Sequence, residues 1–176
     1  IAIPESVSEA EQMKLNAIKE KLLRHHNVII TGVTGTGKSL LANKLASDPF
    51  FVQTSKMFWH SSTDYTDTIE GISAVLNNDG KINYAILPGM IKQLADSPVK
   101  GPKLMIIEGI NKCNPAEALG ELITLLEADK RNLHIDGYEG DIQIPEDMYF
   151  LCTINPNTEN QFKLDSAMKR RFVIAN

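Results

Sequence analysis

The stretch GVTGTGKS, Gly32–Ser39, decides the reading of this chain, because it follows the apolar run Val28–Thr31 and leads into LLANKLA, Leu40–Ala46. Strand, glycine-rich loop and helix in that order form the setting of a phosphate-binding P-loop. Glycines at 32, 35 and 37 let the backbone curl so that successive N–H groups point at phosphate oxygens, and the helix that follows adds its positive N-terminal end. Lys38 neutralises phosphate charge. The Ser39 hydroxyl suits Mg²⁺, a hard cation that takes oxygen ligands. The implied ligand is a magnesium nucleoside triphosphate held by Gly32, Thr34, Gly35, Thr36, Gly37, Lys38, Ser39 and Leu40.

Working outward, the 176 residues are 43% hydrophobic and 23% charged, which is enough apolar chain to bury one sizeable core. Cys113 and Cys152 lack C-x-x-C spacing, so neither a disulfide framework nor a zinc site is indicated and a reducing compartment is expected. No window reaches the apolar length a bilayer span needs, and the first residues lack the basic and apolar regions of a signal peptide. A cytoplasmic protein without a membrane partner is therefore expected. The formal net charge of −4 gives no general pull towards nucleic acid.

Ser6 or Ser8 can cap an amphipathic helix carrying Met13, Leu15, Ile18 and Leu22 and ending near His25-His26. After the P-loop helix, Lys56–His60 reads as a strand and Ser61–Gly71 as a polar connection. Ile72–Leu76 and Lys81–Ile86 flank Asn77-Asn78-Asp79-Gly80, which is hairpin chemistry because Asn, Asp and Gly tolerate positive φ. A helix from about Pro88 to Asp96 precedes Lys103–Ile107, an apolar run of the kind buried on both faces of a parallel sheet. Pro115 to about Ala128 has helical periodicity. A second hairpin is expected with Leu133–Ile135 and Ile142–Ile144 flanking Asp136-Gly137, then strands at Met148–Ile154 and Phe172–Ala175. Strands alternating with helices predict an α/β doubly wound parallel sheet with ligands at the strands' carboxyl ends.

In LMIIEGINKCN, Leu104–Asn114, Glu108 closes an apolar strand and can place a carboxylate beside the nucleotide's Mg²⁺. P-loop hydrolases usually put a second carboxylate at the next position to orient water, and Gly109 has no side chain for that. A one-residue slip would make Glu108 the base, but it would swap the faces of the strand.

With these residues in view, the chain resembles the α/β core (large subdomain) of an AAA+ ATPase from the group with a helix-2 insertion, nearest its McrB-like branch. MoxR-type and dynein- or midasin-like modules are its neighbours. The resemblance rests on GVTGTGKS, on FWHSSTDYTDTIEG and the hairpin after it, on IIEGINKCNPAEALGELITLLE, and on IPEDMYFLCTINPNTENQFKLDSAMKRRF. It makes residues 1–26 a helical segment packed on the core and 27–176 the nucleotide-binding domain, with β-hairpin insertions. The helical lid that usually follows is absent from this sequence, together with any sensor 2 arginine, so weak nucleotide affinity and weak ring formation are expected.

The resemblance implies further roles. Glu108 takes the Walker B position with Ser39 at the metal, Asn155 that of sensor 1, and Arg170 and Arg171 the arginine finger that completes a neighbour's site. A finger acting in trans implies a homo-oligomeric ring, most often a hexamer. The pattern departs at Gly109, where a catalytic Glu is usual, and at Ile154-Asn155-Pro156, where Met-Asn-Thr is usual. ATP is the first expectation and GTP, used by the McrB type, the alternative. Asn111-Lys112-Cys113-Asn114 lacks the Asp of a guanine-reading N-K-x-D motif. The branch implies remodelling or translocation in DNA restriction or defence with a nuclease or other protein partner, DNA being reached only through the full assembly. The contrasting reading is a structural subunit that binds nucleotide without appreciable turnover.

Overall fold

The computed structural model describes residues 8–33, 35, 37–154 and 163–176. Helix α1 (Glu9–His25) starts at a capping box in which Ser8 accepts the Glu11 amide and the Glu11 carboxylate accepts the Ser8 amide, and it buries Leu15, Ile18 and Leu22. Ser6, the other candidate cap, lies outside the described residues. Strand β1 (Asn27–Thr31) leads through the glycine-rich loop into α2 (Lys38–Ala46). Next come β2 (Gln53–Phe58), α3 (Tyr65–Thr68), the antiparallel pair β3 (Glu70–Leu76) and β4 (Ile82–Pro88), α4 (Met90–Ala95) and β5 (Lys103–Glu108). The chain continues through α5 (Pro115–Leu119), α6 (Leu122–Leu125), a second antiparallel pair β6 (His134–Gly137) and β7 (Gly140–Gln143), β8 (Met148–Ile154), α7 (Ser166–Arg171) and β9 (Val173–Ala175).

Five parallel strands make the central sheet in the order β2-β5-β8-β1-β9. Both faces are covered, which is why the inner strands read as unbroken apolar runs rather than alternating ones. On one face Val28, Ile30, Leu104, Ile106 and Leu151 pack with Ile18 and Leu22 of α1 and Leu45 of α2. On the other, Ile29, Met105, Ile107, Phe150 and Cys152 pack against α4 to α7.

The parallel sheet, with strands at β5 and β8, agrees with the sequence expectation, and four local features differ. β2 starts at Gln53 and stops at Phe58 rather than running from Lys56 to His60, because Gln53 to Phe58 pair in register with Lys103 to Glu108. Backbone pairing to a neighbour places Gln53, Thr54 and Ser55 in the strand, and their polar side chains give no sign of it. The connection Ser61–Gly71 contains α3, started by Asp64, which accepts the Thr66 and Asp67 amides while Asp67 accepts the Asp64 amide. The single helix expected from Pro115 divides into α5 and α6 at Gly120, whose φ of 51° interrupts the helix where the Tyr65 ring closes against it. The β6–β7 turn falls at Tyr138-Glu139, since Gly137 pairs with Gly140.

Asn27, at the root of β1, is buried and joins three segments. Its side-chain amide donates to Leu126 O at 2.7 Å and Arg171 O at 3.1 Å and accepts from Arg131 Nη2 at 2.9 Å. The Arg131 guanidinium also donates to Pro145 O and Met148 O, and burial brings its pKa down to about 10. Among the described residues no helix is long and apolar enough to cross a membrane, and no group of three or more His, Cys, Asp or Glu side chains is placed to hold a metal. Cys113 and Cys152 are both buried, and burial pushes the Cys113 thiol up to about 11.

Candidate nucleotide-binding site

The end of β1 delivers the chain into the glycine-rich loop at the carboxyl edge of the sheet. Gly35 and Gly37 have φ of 84° and 80°, left-handed values that a side chain disfavours. Gly37 is also the N-cap of α2, and among the described residues no side chain caps that helix. A glycine-started helix of this kind suits an anionic ligand. Thr34 and Thr36 lie outside the described residues, as does Asn155. Leu40 is in the first turn of α2 and lines the cleft.

Lys38 Nζ donates to Gly32 O at 2.6 Å and Val33 O at 2.8 Å, so the ammonium is folded over its own loop. Ser39 Oγ donates to Glu108 Oε2 at 2.9 Å, which brings the start of α2 and the end of β5 together. Lys56 Nζ stands 2.7 Å from the other carboxylate oxygen, Oε1. Hydroxyl and carboxylate are hard oxygen donors of the kind Mg²⁺ takes, and their meeting beside the P-loop fits that ion. No slip of register is needed, because Glu108 pairs with Phe58 and Thr153 at the strand ends and faces Ser39.

A cleft of about 450 Å³ opens here, lined by Gly37, Lys38, Ser39, Phe58, Glu108, Gly109, Lys112 and Thr153 among others. On the other side of Lys38 lies a depression of about 400 Å³ between α1 and the sheet, with Lys14, Ile18 and Lys21 on one wall and Ile30, Thr31, Leu41 and Asn176 opposite. Nothing in the sequence marks Lys14, Lys21, Lys56 or Thr153 for the site, and only the strand register and the docking of α1 bring them there. Lys112, from the N-K-C-N segment, comes to the cleft on the loop after β5.

Gly109 is more than a missing side chain. Its φ is 75°, its amide donates to Thr153 O at 3.0 Å, and a Cβ built there would lie 2.9 Å from Lys112 Cδ. The Lys112 stem fills the space a side chain at 109 would enter. Glu117 and Glu121, on the segment after β5, do not line the cleft.

The two arginines at the end of α7 differ. Arg171 is turned into its own protomer, with Nη1 donating to Ala167 O at 2.9 Å, Nη2 2.7 Å from Glu127 Oε1, and a side chain 9% exposed. Arg170 is exposed and makes no ion pair among the described residues. Arg171→Ala is expected to lower stability by about 1.5–3 kcal/mol, the range for hydrogen bonds to charged groups. Arg170→Ala should stay within about 0.5 kcal/mol of the native chain, as surface changes usually do. Thermal melts of the two variants check this; equal melts would remove the distinction.

A P-loop at the end of the inner strand β1, the strand order β2-β5-β8-β1-β9 and a β5 carboxylate meeting the P-loop serine define a nucleotide-binding domain with the AAA+ fold. Residues 27–172 match the AAA domain (dynein-related subfamily), and the chain belongs to that family. It is 27% identical over 170 residues to the "Type IV methyl-directed restriction enzyme EcoKMcrB subunit" of Escherichia coli (strain K12), covering 90% of this chain and 36% of that protein. A crystal structure of an ATPase candidate from Cytophaga hutchinsonii superposes with a TM-score of 0.56 at 16% identity, covering 96% of this chain and 53% of that one. The second likeness shows the fold alone. This chain thus spans about a third and about half of the two proteins it matches.

Proposed function

We propose that this domain binds a magnesium nucleoside triphosphate between subunits of a ring and couples its hydrolysis to remodelling or translocation. The observation that carries the reading is the Ser39–Glu108 hydrogen bond at the mouth of a glycine-started helix. In it the α2 amides and Lys38 receive the phosphates, Lys38 leaving the Gly32 and Val33 carbonyls to do so. Ser39 and Glu108 would hold Mg²⁺, which when bound would screen the charge on the phosphates. The depression beside α1 takes the base and ribose, ATP first and GTP as the alternative.

Arg170 reaches the neighbour's nucleotide and Asn155 serves as sensor. Gly109 leaves the water without an orienting carboxylate, so native turnover is slow. Likeness to a restriction subunit supports action on DNA within a larger cytoplasmic assembly with a nuclease or other protein partner. The left-handed backbone at Gly109 favours a second reading, a nucleotide-binding structural subunit with no appreciable turnover.

Titration of fluorescent, ribose-labelled ATP and GTP tests the binding claim. Lys38→Ala should weaken binding by about 10- to 100-fold, the equivalent of one or two charge-assisted hydrogen bonds. Equal binding by the native chain and the variant would overturn it.

A further inference from the structure

Lys56 belongs to β2, yet its ammonium meets the Glu108 carboxylate. It pairs in register with Ile106, two residues before Glu108 on the adjacent parallel strand, so the two side chains leave the same face of the sheet. Lys56 Nζ reaches Glu108 Oε1 at 2.7 Å while Ser39 holds Oε2 at 2.9 Å, and both carboxylate oxygens are engaged. The same ammonium donates to Asn43 Oδ1 at 2.7 Å and lies 4.8 Å from the centre of the Phe58 ring. With side chains 24% and 14% exposed, Lys56 and Glu108 are sheltered enough that solvent screens their attraction less than it would a surface pair.

We propose that Lys56 is a tethered cation that holds the Glu108 carboxylate until Mg²⁺ displaces it, and so sets how strongly Mg²⁺ tightens nucleotide binding. The inference rests on the cleft being the nucleotide site. At Glu108 a bound Mg²⁺ would stand beside the Lys56 charge, and the two cations would compete for one carboxylate. Asn43 and the face of Phe58, which the ammonium already touches, would keep hold of it when the carboxylate turns to the metal, since a carbonyl oxygen and an aromatic face both accept a cation. Lys56 is thus a positioning residue for the metal ligand. A purely structural strut would act in the opposite direction, because removing it would loosen Glu108 and weaken the response to Mg²⁺.

The experiment compares nucleotide affinity in Mg²⁺ with that in EDTA for the native chain, Lys56→Met, Lys56→Gln and Lys56→Arg, using the same labelled ATP and GTP. The ratio of the two affinities is the readout, and linkage makes it equal to the effect of nucleotide on Mg²⁺ binding. Lys56→Met and Lys56→Gln are expected to raise that ratio about tenfold, the effect of one neighbouring charge on a carboxylate site. Lys56→Arg should keep it near the native value. An unchanged or lowered ratio in Lys56→Met and Lys56→Gln overturns the inference alone. No nucleotide binding by the native chain overturns the reading of the cleft, and the inference with it.

Discussion

Gly109→Glu is expected to raise steady-state phosphate release from Mg-ATP or Mg-GTP by about 10²- to 10⁴-fold over the native chain, the range that a positioned general base supplies. The substitution puts a carboxylate on the residue after Glu108, at the mouth of the cleft that also holds Lys38 and Ser39. It has a structural cost. An L-residue at a φ of 75° is disfavoured by about 1–2 kcal/mol, and the Lys112 stem must swing away. Lys112 is exposed, so its stem has solvent to swing into. The variant should therefore melt a few degrees below the native chain while turning over faster. The assay is run at concentrations at which subunits meet, because Arg170 is proposed to act across an interface. Fast release by the native chain would show that another group serves as base, whereas two silent proteins that both bind nucleotide would favour the structural-subunit reading.

Glu70→Ala should have the largest effect on stability, about 3–5 kcal/mol, the cost of leaving a buried charge without its partner. At this chain length that lowers the melting temperature by about 10 °C. The Glu70 carboxylate lies 2.5 Å from Lys92 Nζ with side chains 1% and 9% exposed, and it also accepts the Tyr138 amide at 2.6 Å. Burial by itself raises the Glu70 pKa, but the hydrogen bonds from Lys92 and Tyr138 and the Lys92 charge outweigh it and the net shift is downward from 4.5. A depressed carboxylate contributes stability that is fully present above its unfolded value and is lost as pH falls through its folded value. Native melting temperatures should accordingly fall as pH drops below about 4.5, and the Glu70→Ala profile should be flatter there. Melts of both proteins across that window check the sign. Parallel profiles would remove the pair from the account.

Much of the fold was legible because chemistry and pattern coincide. A glycine-rich loop between an apolar run and a helix can be read directly, and so can strands buried on both faces. Contacts made by register alone were not legible. Nothing in Lys56-Met57-Phe58 announces that an ammonium will meet Glu108, and Gly120 reads as one weak helix residue until the Tyr65 ring is seen against it. The arginine pair shows the same limit. Sequence offers Arg170 and Arg171 as equals, and only the packing of Glu127 against α7 separates them.

Asn27 grips the carbonyl of Arg171 at the root of β1, and the other end of that strand runs into the P-loop. In a ring of the proposed kind, β1 is a stiff rod with one subunit's nucleotide at its tip and, at its heel, the mount of the arginine offered to the next subunit. A small tilt of the rod when the loop fills would re-aim that arginine, so each site would report its occupancy to its neighbour mechanically, with no hinge in between.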